Sequence, residues 1–285
     1  MGNIIAALSL NKITEYLTEK SFFDIKIYDS LDSTSTFLRS LAENGEKEGT
    51  VIIAEQQTSG RGRLGRSFYS PKNSGIYMSI LLRPSTHEIN FDINRSIYIT
   101  SATAVAVCRA IEKITKKDVA IKWVNDIYLN EKKICGILTE GSLNNKNTSF
   151  EYMIIGIGLN IRTSSFPNEL KNIASSLLTP DDTDFTENIR NILVAEILNQ
   201  FSSIYQNELS ASPQKLEFLK EYKKRSFFLG KNINVIKNGT LHPAVAVDIN
   251  DSCHLLVEYP DGSSDELSSG EISIRVSDLQ EETQK

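Results

Sequence analysis

Three glycines and three arginines stand together in residues 60–66, Gly-Arg-Gly-Arg-Leu-Gly-Arg. Glycine lets a backbone approach a ligand closely, and guanidinium groups form charge-assisted hydrogen bonds with phosphate or carboxylate. Because the like charges repel one another until an anion neutralises them, the segment is typical of a loop that wraps an anionic ligand. A solvated basic hairpin tip remains an alternative for this segment alone.

The same residues satisfy the pattern Gly-x-Gly-x-x-Gly, which also occurs in dinucleotide-binding proteins and protein kinases. A dinucleotide-binding fingerprint requires a helix after the loop, whereas residues 77–82 have the apolar pattern of a strand. A kinase requires His-Arg-Asp and Asp-Phe-Gly tripeptides, and the sequence contains neither. Both interpretations are therefore disfavoured.

A second polar group comprises Lys122, Asn125 and Asp126, with Lys133 and Gly136 on the next predicted strand. Across a hairpin turn Asp126 and Lys133 are expected to lie close together, so that a carboxylate and an ammonium converge on one pocket. One group would orient a metal or a nucleophile, and the other would neutralise negative charge. A surface ion pair of little energetic worth explains the same pattern.

The third segment, residues 155–160, is an apolar strand interrupted by Gly156 and Gly158. Glycine weakens a strand unless some group must approach the backbone closely, such as the ring system of a ligand. Tight packing against a helix explains the two glycines nearly as well.

In this order the three segments resemble the biotin protein ligases, the biotin-(acetyl-CoA-carboxylase) ligase family, and the resemblance covers residues 28–275. It implies that the biotin-binding residues are Ser33, Thr34, Gln57, Gly60, Arg61, Gly62, Arg63, Lys133 and Gly136. It implies that the residues beside ATP or the adenylate are Arg63, Arg66, Phe68, Lys122, Asn125, Asp126 and Asn160.

The resemblance implies a two-step reaction in which biotin and ATP form biotinyl-5′-AMP, and the biotinyl group then passes to a lysine of a biotin carboxyl carrier protein domain. Arg63, Lys133 and Mg²⁺ are expected to offset the repulsion between carboxylate and phosphate. Asp126 is the expected group for orienting or deprotonating the acceptor lysine. The metal ligands are not identified.

Three positions depart from the family pattern. Val124 replaces the usual proline, Phe68 the usual tryptophan, and Ser35 the asparagine that usually follows the Ser-Thr pair. Phe68 keeps an aromatic surface for adenine. None of the three departures removes a charged residue of the expected site.

The elements that must position these residues follow from periodicity. Strands are predicted at 22–28, 50–56, 75–82, 119–123, 127–129, 134–139 and 152–161. Helices are predicted at 8–20, 97–113, 186–207 and 213–225, and a further helix follows the capping residues 32–34 and runs to about residue 43. Short strands with Asn-Gly and Asp-Gly turns follow from residue 228.

The predicted fold class is α/β (α+β). The family resemblance specifies a class II aminoacyl-tRNA-synthetase-like mixed β-sheet with helices on one face, followed by a small SH3-like β-barrel. The predicted domains are a catalytic domain at 1–227, an SH3-like domain at 228–277 and a flexible tail at 278–285.

Composition indicates a soluble globular protein. The 285 residues are 40% hydrophobic and 24% charged, with a net charge of −5, which argues against nucleic-acid binding by the whole protein. Three widely spaced cysteines and an N-terminal apolar stretch too short to span a bilayer favour the cytoplasm, without membrane attachment. We expect a monomer or weak homodimer.

Other functions remain open. A lipoate or octanoate ligase or transferase shares the fold and handles a linear acyl chain, and a non-catalytic biotin-binding regulator is a further alternative. A winged helix-turn-helix needs several times the roughly 20 residues that precede the first predicted strand, so we expect the short form without a DNA-binding domain. His87, His242 and His254 receive no role.

Overall fold

A computed structural model of the protein describes residues 6–84, 96–144, 149–182, 185–209, 216–237, 239–268 and 271–274. The α-helices in these ranges are α1 (Leu10–Tyr16), α2 (Thr34–Glu43), α3 (Ser96–Thr115), α4 (Ile189–Ile204) and α5 (Glu217–Arg225). The strands are β1 (Asp24–Tyr28), β2 (Thr50–Ala54), β3 (Gly75–Leu82), β4 (Ala120–Lys122), β5 (Asp126–Leu129), β6 (Lys132–Leu143), β7 (Phe150–Asn160), β8 (Asn232–Lys237), β9 (Thr240–Ile249), β10 (Leu255–Glu258), β11 (Ser264–Leu267) and β12 (Glu271–Ile274). In the described ranges no helix is both long and apolar enough to cross a membrane.

The first seven strands form one mixed sheet in the order β1-β2-β3-β7-β6-β5-β4. β1 and β2 are parallel, and the other neighbouring pairs are antiparallel. The β-branched and apolar residues of β2 and β3 are buried along the whole length of both strands. The predicted mixed sheet is confirmed.

Helices cover both faces of this sheet. Val51 and Ile53 of β2 point into the core that α1, α3, α4 and α5 complete. Ile52 points to the opposite face, where Leu38 and Ala42 of α2 cover it, because successive strand residues face opposite sides. The prediction of helices on one face therefore holds for four helices and is corrected for α2.

Most predicted elements are found, with different ends. β6 extends well beyond the predicted strand at 134–139, and the predicted helix at 186–207 ends at Ile204, where a π-helical turn, Tyr205–Leu209, begins. β6 is longer than predicted because its pairing with β7 continues to Leu143, beyond the apolar residues of the strand.

The last five strands form a separate antiparallel sheet in the order β11-β10-β9-β8-β12. The predicted Asp261-Gly262 turn joins β10 to β11, and Gly262 has a φ of 83° there. Asn238 of the other predicted turn, His87 and the tail from Ser277 lie outside the described residues. The closed SH3-like barrel and the domain boundary at 227/228 stay predictions.

Trp123, which follows β4, and Tyr98 of α3 both contact the turn between β9 and β10 of the second sheet. Trp123 Nε1 donates to the carbonyl oxygen of Cys253 at 3.1 Å, and the Tyr98 hydroxyl donates to that of Asp251 at 2.6 Å. Side chains from both sheets belong to one apolar core. The strand end at Trp123, next to the second polar group of the sequence, is thereby fixed by the C-terminal sheet.

A buried ion pair supports the strands that lead into the Gly-Arg loop, defined as residues 60–66. Arg190 of α4 is fully buried and pairs with Glu55, the residue after β2. Arg190 Nε also donates to the Gly75 carbonyl oxygen at 2.9 Å, and Glu55 Oε1 accepts from the Leu8 backbone N–H at 2.6 Å. The pair ties α4 and the N-terminal segment to the ends of β2 and β3.

We expect Arg190→Met to lower the free energy of unfolding by about 3 kcal/mol or more, because it leaves the Glu55 carboxylate buried without its counter-charge. Lys220→Met is the control: Lys220 pairs with Glu217 at the surface, so its loss changes stability by at most about 0.5 kcal/mol. Urea unfolding followed by circular dichroism measures both variants. Equally small changes would contradict a supporting role for the buried pair.

Candidate active site

A pocket of about 490 Å³ lies between the Gly-Arg loop, the first turn of α2 and strands β5 to β7. The predicted site residues that line it are Ser33, Thr34, Gln57, Arg61, Gly62, Arg63, Arg66, Phe68, Lys122, Asn125, Asp126, Lys133, Gly136 and Asn160. Gly60 is not among the lining residues. A Cβ there would lie 2.4 Å from the Phe68 carbonyl oxygen and 2.9 Å from Gln57 Nε2, so Gly60 permits close packing behind the pocket.

The apolar rim of the pocket was not predicted from the sequence. Phe166, Leu170 and Ile173 lie in the segment after β7, and Ile236 comes from β8 of the second sheet. Ile173 is 55% exposed. No motif or periodicity marks these residues, because they meet the pocket only through long-range folding.

The Gly-Arg loop folds back on itself as a short hairpin. Arg61 bridges Ser67 in the antiparallel sense, and the Gly62 backbone N–H donates to the Arg66 carbonyl oxygen at 2.7 Å. A 3₁₀ turn, Arg63–Gly65, forms the tip. These backbone contacts within the loop fix the positions from which its arginine side chains extend.

The first arginine of the loop is anchored to the sheet. Arg61 forms a bidentate ion pair with Glu140 of β6, with N–O distances of 2.7 and 2.8 Å. Arg39 of α2 contacts the same carboxylate at 2.8 Å. The Arg61 side chain is thus held by a carboxylate. Neither Glu140 nor Arg39 was predicted from the sequence as part of the site.

The second polar group places two cations beside polar partners. Lys133 Nζ lies 2.6 Å from Asp126 Oδ1, and Arg63 donates to Asn125 Oδ1 at 3.0 Å. Gly136 leaves room for the lysine chain, because a Cβ there would approach Lys133 Nζ to 3.1 Å. Asp126 and Lys133 therefore lie together, as the hairpin spacing predicted. Lys133 and Arg63 both line the pocket, so an ammonium and a guanidinium are available there.

The Phe68 ring packs against strand β7 at Gly158, where the absence of a side chain leaves room for it. A Cβ at Gly158 would lie 2.6 Å from Phe68 Cε1, and one at Gly136 would lie 3.5 Å from Cε2. Tyr77 packs edge-on against the ring at a centroid distance of 6.4 Å, and burial raises the pKa of Tyr77 to about 12. The ring that approaches Gly158 is therefore the protein's own aromatic side chain, positioned as a wall of the pocket.

The opposite wall is polar, and its hydrogen-bond directions are fixed. The Thr34 backbone N–H and hydroxyl both donate to Gln57 Oε1, at 2.9 and 3.1 Å. Gln57 Nε2 donates to Ser70 Oγ at 2.9 Å. Since an amide oxygen only accepts and an amide nitrogen only donates, Gln57 Nε2 has one further N–H to donate and Thr34 Oγ1 can still accept.

Asn160 at the end of β7 carries a buried acceptor. Its Nδ2 donates to the Ser175 carbonyl oxygen at 3.2 Å. Its Oδ1 has no donor among the described residues, although the side chain is only 4% exposed. Asn160 lines the pocket, and a buried amide oxygen without a donor is suited to an N–H group of a ligand.

Two parts of the sequence match known protein families, and most of the chain is similar to a known protein. Residues 27–160 match the sequence model of the biotin/lipoate A/B protein ligase family, and residues 228–275 match the biotin protein ligase C-terminal domain. The chain is 35% identical over 239 residues to the bifunctional ligase/repressor BirA of Bacillus spizizenii, covering 82% of this chain and 69% of the relative.

Another relative and a solved structure are also similar to most of this chain. The biotin-(acetyl-CoA-carboxylase) ligase of Mycobacterium tuberculosis is 26% identical over 245 residues, covering 84% of this chain and 85% of that protein. The structure of the Aquifex aeolicus biotin protein ligase in complex with biotin and ATP has a TM-score of 0.68 and 27% identity, covering 88% and 98% of the two chains.

We expect Glu140→Gln to loosen the Gly-Arg loop, because an amide no longer neutralises Arg61 and Arg39. Limited trypsin digestion should then cleave after the loop arginines roughly tenfold faster, the effect of about 1.4 kcal/mol of lost local stability. Glu131→Gln, at an exposed position of the β5–β6 turn, should leave the rate unchanged. Equal cleavage rates in the two variants would show that Glu140 does not hold the loop.

Proposed function

The chain belongs to the biotin protein ligase family, and from that premise we propose that its pocket activates biotin with ATP as biotinyl-5′-AMP and transfers the biotinyl group to a protein lysine. The observation that carries this proposal is one pocket that combines a donor–acceptor wall, Thr34 and Gln57, with two cations, Arg63 and Lys133.

The polar wall fits the ring end of biotin. A ureido group presents N–H donors and a carbonyl acceptor, which complement the Thr34 oxygen and the Gln57 Nε2. Thr34 packs over β3 and Lys133 lies on β6, two strand positions away, which corresponds to about 10 Å. A bicyclic ring with a short acyl chain spans this separation and brings its carboxylate to the cations.

The cations suit the first chemical step. A carboxylate oxygen of biotin attacks the α-phosphorus of ATP, the bond to the β-phosphate oxygen breaks, and pyrophosphate leaves. Both reactants are anions, and positive charge fixed beside them stabilises the transition state without reorganisation. Arg63 and Lys133 supply that charge, while Asn160 Oδ1 and the Phe68 ring suit the amino group and the face of adenine.

In the second step a neutral lysine of the acceptor attacks the carbonyl carbon of the mixed anhydride. The carbon–oxygen bond to AMP breaks, an amide forms, and the nitrogen loses a proton. Asp126 is the carboxylate among the described lining residues, and we assign it to orient this lysine or to take its proton. Its Oδ1 lies 2.6 Å from Lys133 Nζ, so the carboxylate and the ammonium are side by side in the pocket.

Mg²⁺ is proposed to enter as part of the MgATP substrate. Within the described part of the chain, no group of three or more His, Cys, Asp or Glu side chains is arranged to hold a metal ion. Phosphate oxygens and water are the ligands that Mg²⁺ prefers in nucleotide complexes, so they would supply most of its coordination here.

The acceptor is proposed to be a biotin carboxyl carrier domain, of acetyl-CoA carboxylase or another biotin-dependent carboxylase. We place the protein in the cytoplasm, where the free buried thiols Cys108, Cys135 and Cys253 stay reduced. The proposed units are a catalytic domain at 1–227 and an SH3-like domain at 228–277, in a monomer or weak homodimer.

Lipoate and octanoate fit the polar wall poorly. Neither molecule has an N–H or carbonyl group at the end remote from its carboxylate, so binding would leave Thr34 and Gln57 without partners in the pocket. A site built to hydrogen-bond a ligand strongly rejects analogues that lack the matching groups. This observation favours biotin over the acyl chains that related enzymes handle.

We expect purified protein with MgATP to release pyrophosphate on addition of biotin and to label a biotin carboxyl carrier domain. Lys133→Ala should lower kcat/KM for pyrophosphate release by about 10²- to 10³-fold, the effect of losing one transition-state donor. Lys132→Ala, at the exposed neighbouring position, should leave it within about twofold of the unaltered protein. Activation of lipoate or octanoate with no response to biotin would overturn the substrate assignment.

A further inference from the structure

A buried serine lies directly beneath the polar wall of the pocket. Ser79 of β3 is fully buried and is not among the residues that line the pocket. Its Oγ lies 2.8 Å from Thr34 Oγ1 and 3.0 Å from Ser35 Oγ. One hydroxyl of the sheet therefore contacts the first two residues of α2.

The proton of each hydroxyl in this cluster can be assigned. Thr34 gives its proton to Gln57 Oε1, because an amide oxygen cannot donate. Thr34 must then accept from Ser79, and Ser79, whose single proton is used, must accept from Ser35. The chain of donation runs from Ser35 through Ser79 and Thr34 to Gln57, and the Thr34 backbone N–H fixes its direction.

The neighbouring strand keeps space for this arrangement. Ser79 pairs with Ile52 of β2 and with Gly156 of β7. A Cβ at Gly156 would lie 2.6 Å from Ser35 Oγ. Gly156 therefore leaves the room that the Ser35 hydroxyl needs, which explains the first of the two glycines that interrupt this strand.

We propose that Ser79 is a positioning residue that sets the hydrogen-bond directions of the polar wall formed by Thr34 and Gln57, to which the ureido group of biotin binds. By donating to Thr34 it keeps the Thr34 proton on Gln57, so that the remaining Thr34 lone pair faces the ligand as an acceptor. By accepting from Ser35 it keeps that proton out of the pocket. The proposal rests on the proposed function, because it names how the same pocket recognises the ureido group.

The first test separates recognition from chemistry. Ser79→Ala should raise the KM for biotin by roughly 3- to 10-fold, the effect of one net hydrogen bond, with kcat and the KM for ATP unchanged within about twofold. Ser79→Cys, whose larger thiol donates only weakly, should also raise the KM for biotin, and it carries the test if Ser79→Ala does not fold. Ser202→Ala, at another buried serine in α4, controls for loss of a buried hydroxyl and should leave every constant unchanged.

A double-substitution cycle shows whether Ser79 acts through Thr34. In a Thr34→Val background, Ser79→Ala should change the KM for biotin by less than about twofold, since the hydroxyl that it orients is gone. Equal effects of Ser79→Ala in both backgrounds, or an equal rise in the KM for ATP, would overturn the proposal. An unaltered protein that does not activate biotin would instead overturn the proposed function.

Discussion

The pocket has to hold two anions in contact, and the rest of the site depends on how the opposing positive charge is fixed. Arg63 and Lys133 come from different elements, yet each is held by an adjacent residue of the β4–β5 segment, Asn125 and Asp126. Preorganised charge of this kind stabilises a transition state without further movement. The antiparallel strands β5 and β6 bring the carboxylate and the ammonium together, and the C-terminal sheet fixes the preceding Trp123.

Small residues give the site its shape. Gly158 and Gly136 accept the Phe68 ring, Gly156 accepts the Ser35 hydroxyl, and Gly60 allows the loop to pass behind the pocket. A Cβ at Gly158 or Gly156 would lie 2.6 Å from Phe68 or Ser35 and would displace that side chain. The apolar strands are therefore interrupted where protein groups must approach the backbone, and the ligand meets the groups that these glycines seat.

The sequence predicted those parts of the site that local spacing encodes. The Gly-Arg loop between two strands, the Asp126–Lys133 pair and the polar first turn of α2 all follow from neighbouring residues. Three features could not be predicted in this way. Glu140 meets Arg61 across 79 residues of chain, α2 packs on the face opposite the other helices, and the apolar rim comes from segments without a motif, because each depends on tertiary packing.

Oxygen-isotope transfer tests the central claim most directly. If the biotin carboxylate attacks the α-phosphorus of ATP and a lysine then attacks the acyl carbon, one oxygen of biotin must leave with AMP. With both carboxylate oxygens replaced by ¹⁸O, mass spectrometry of the products should find one labelled oxygen in each AMP and one in the biotinyl amide. Unlabelled AMP, or label found only in inorganic phosphate together with ADP, would contradict activation through an acyl-adenylate in this pocket.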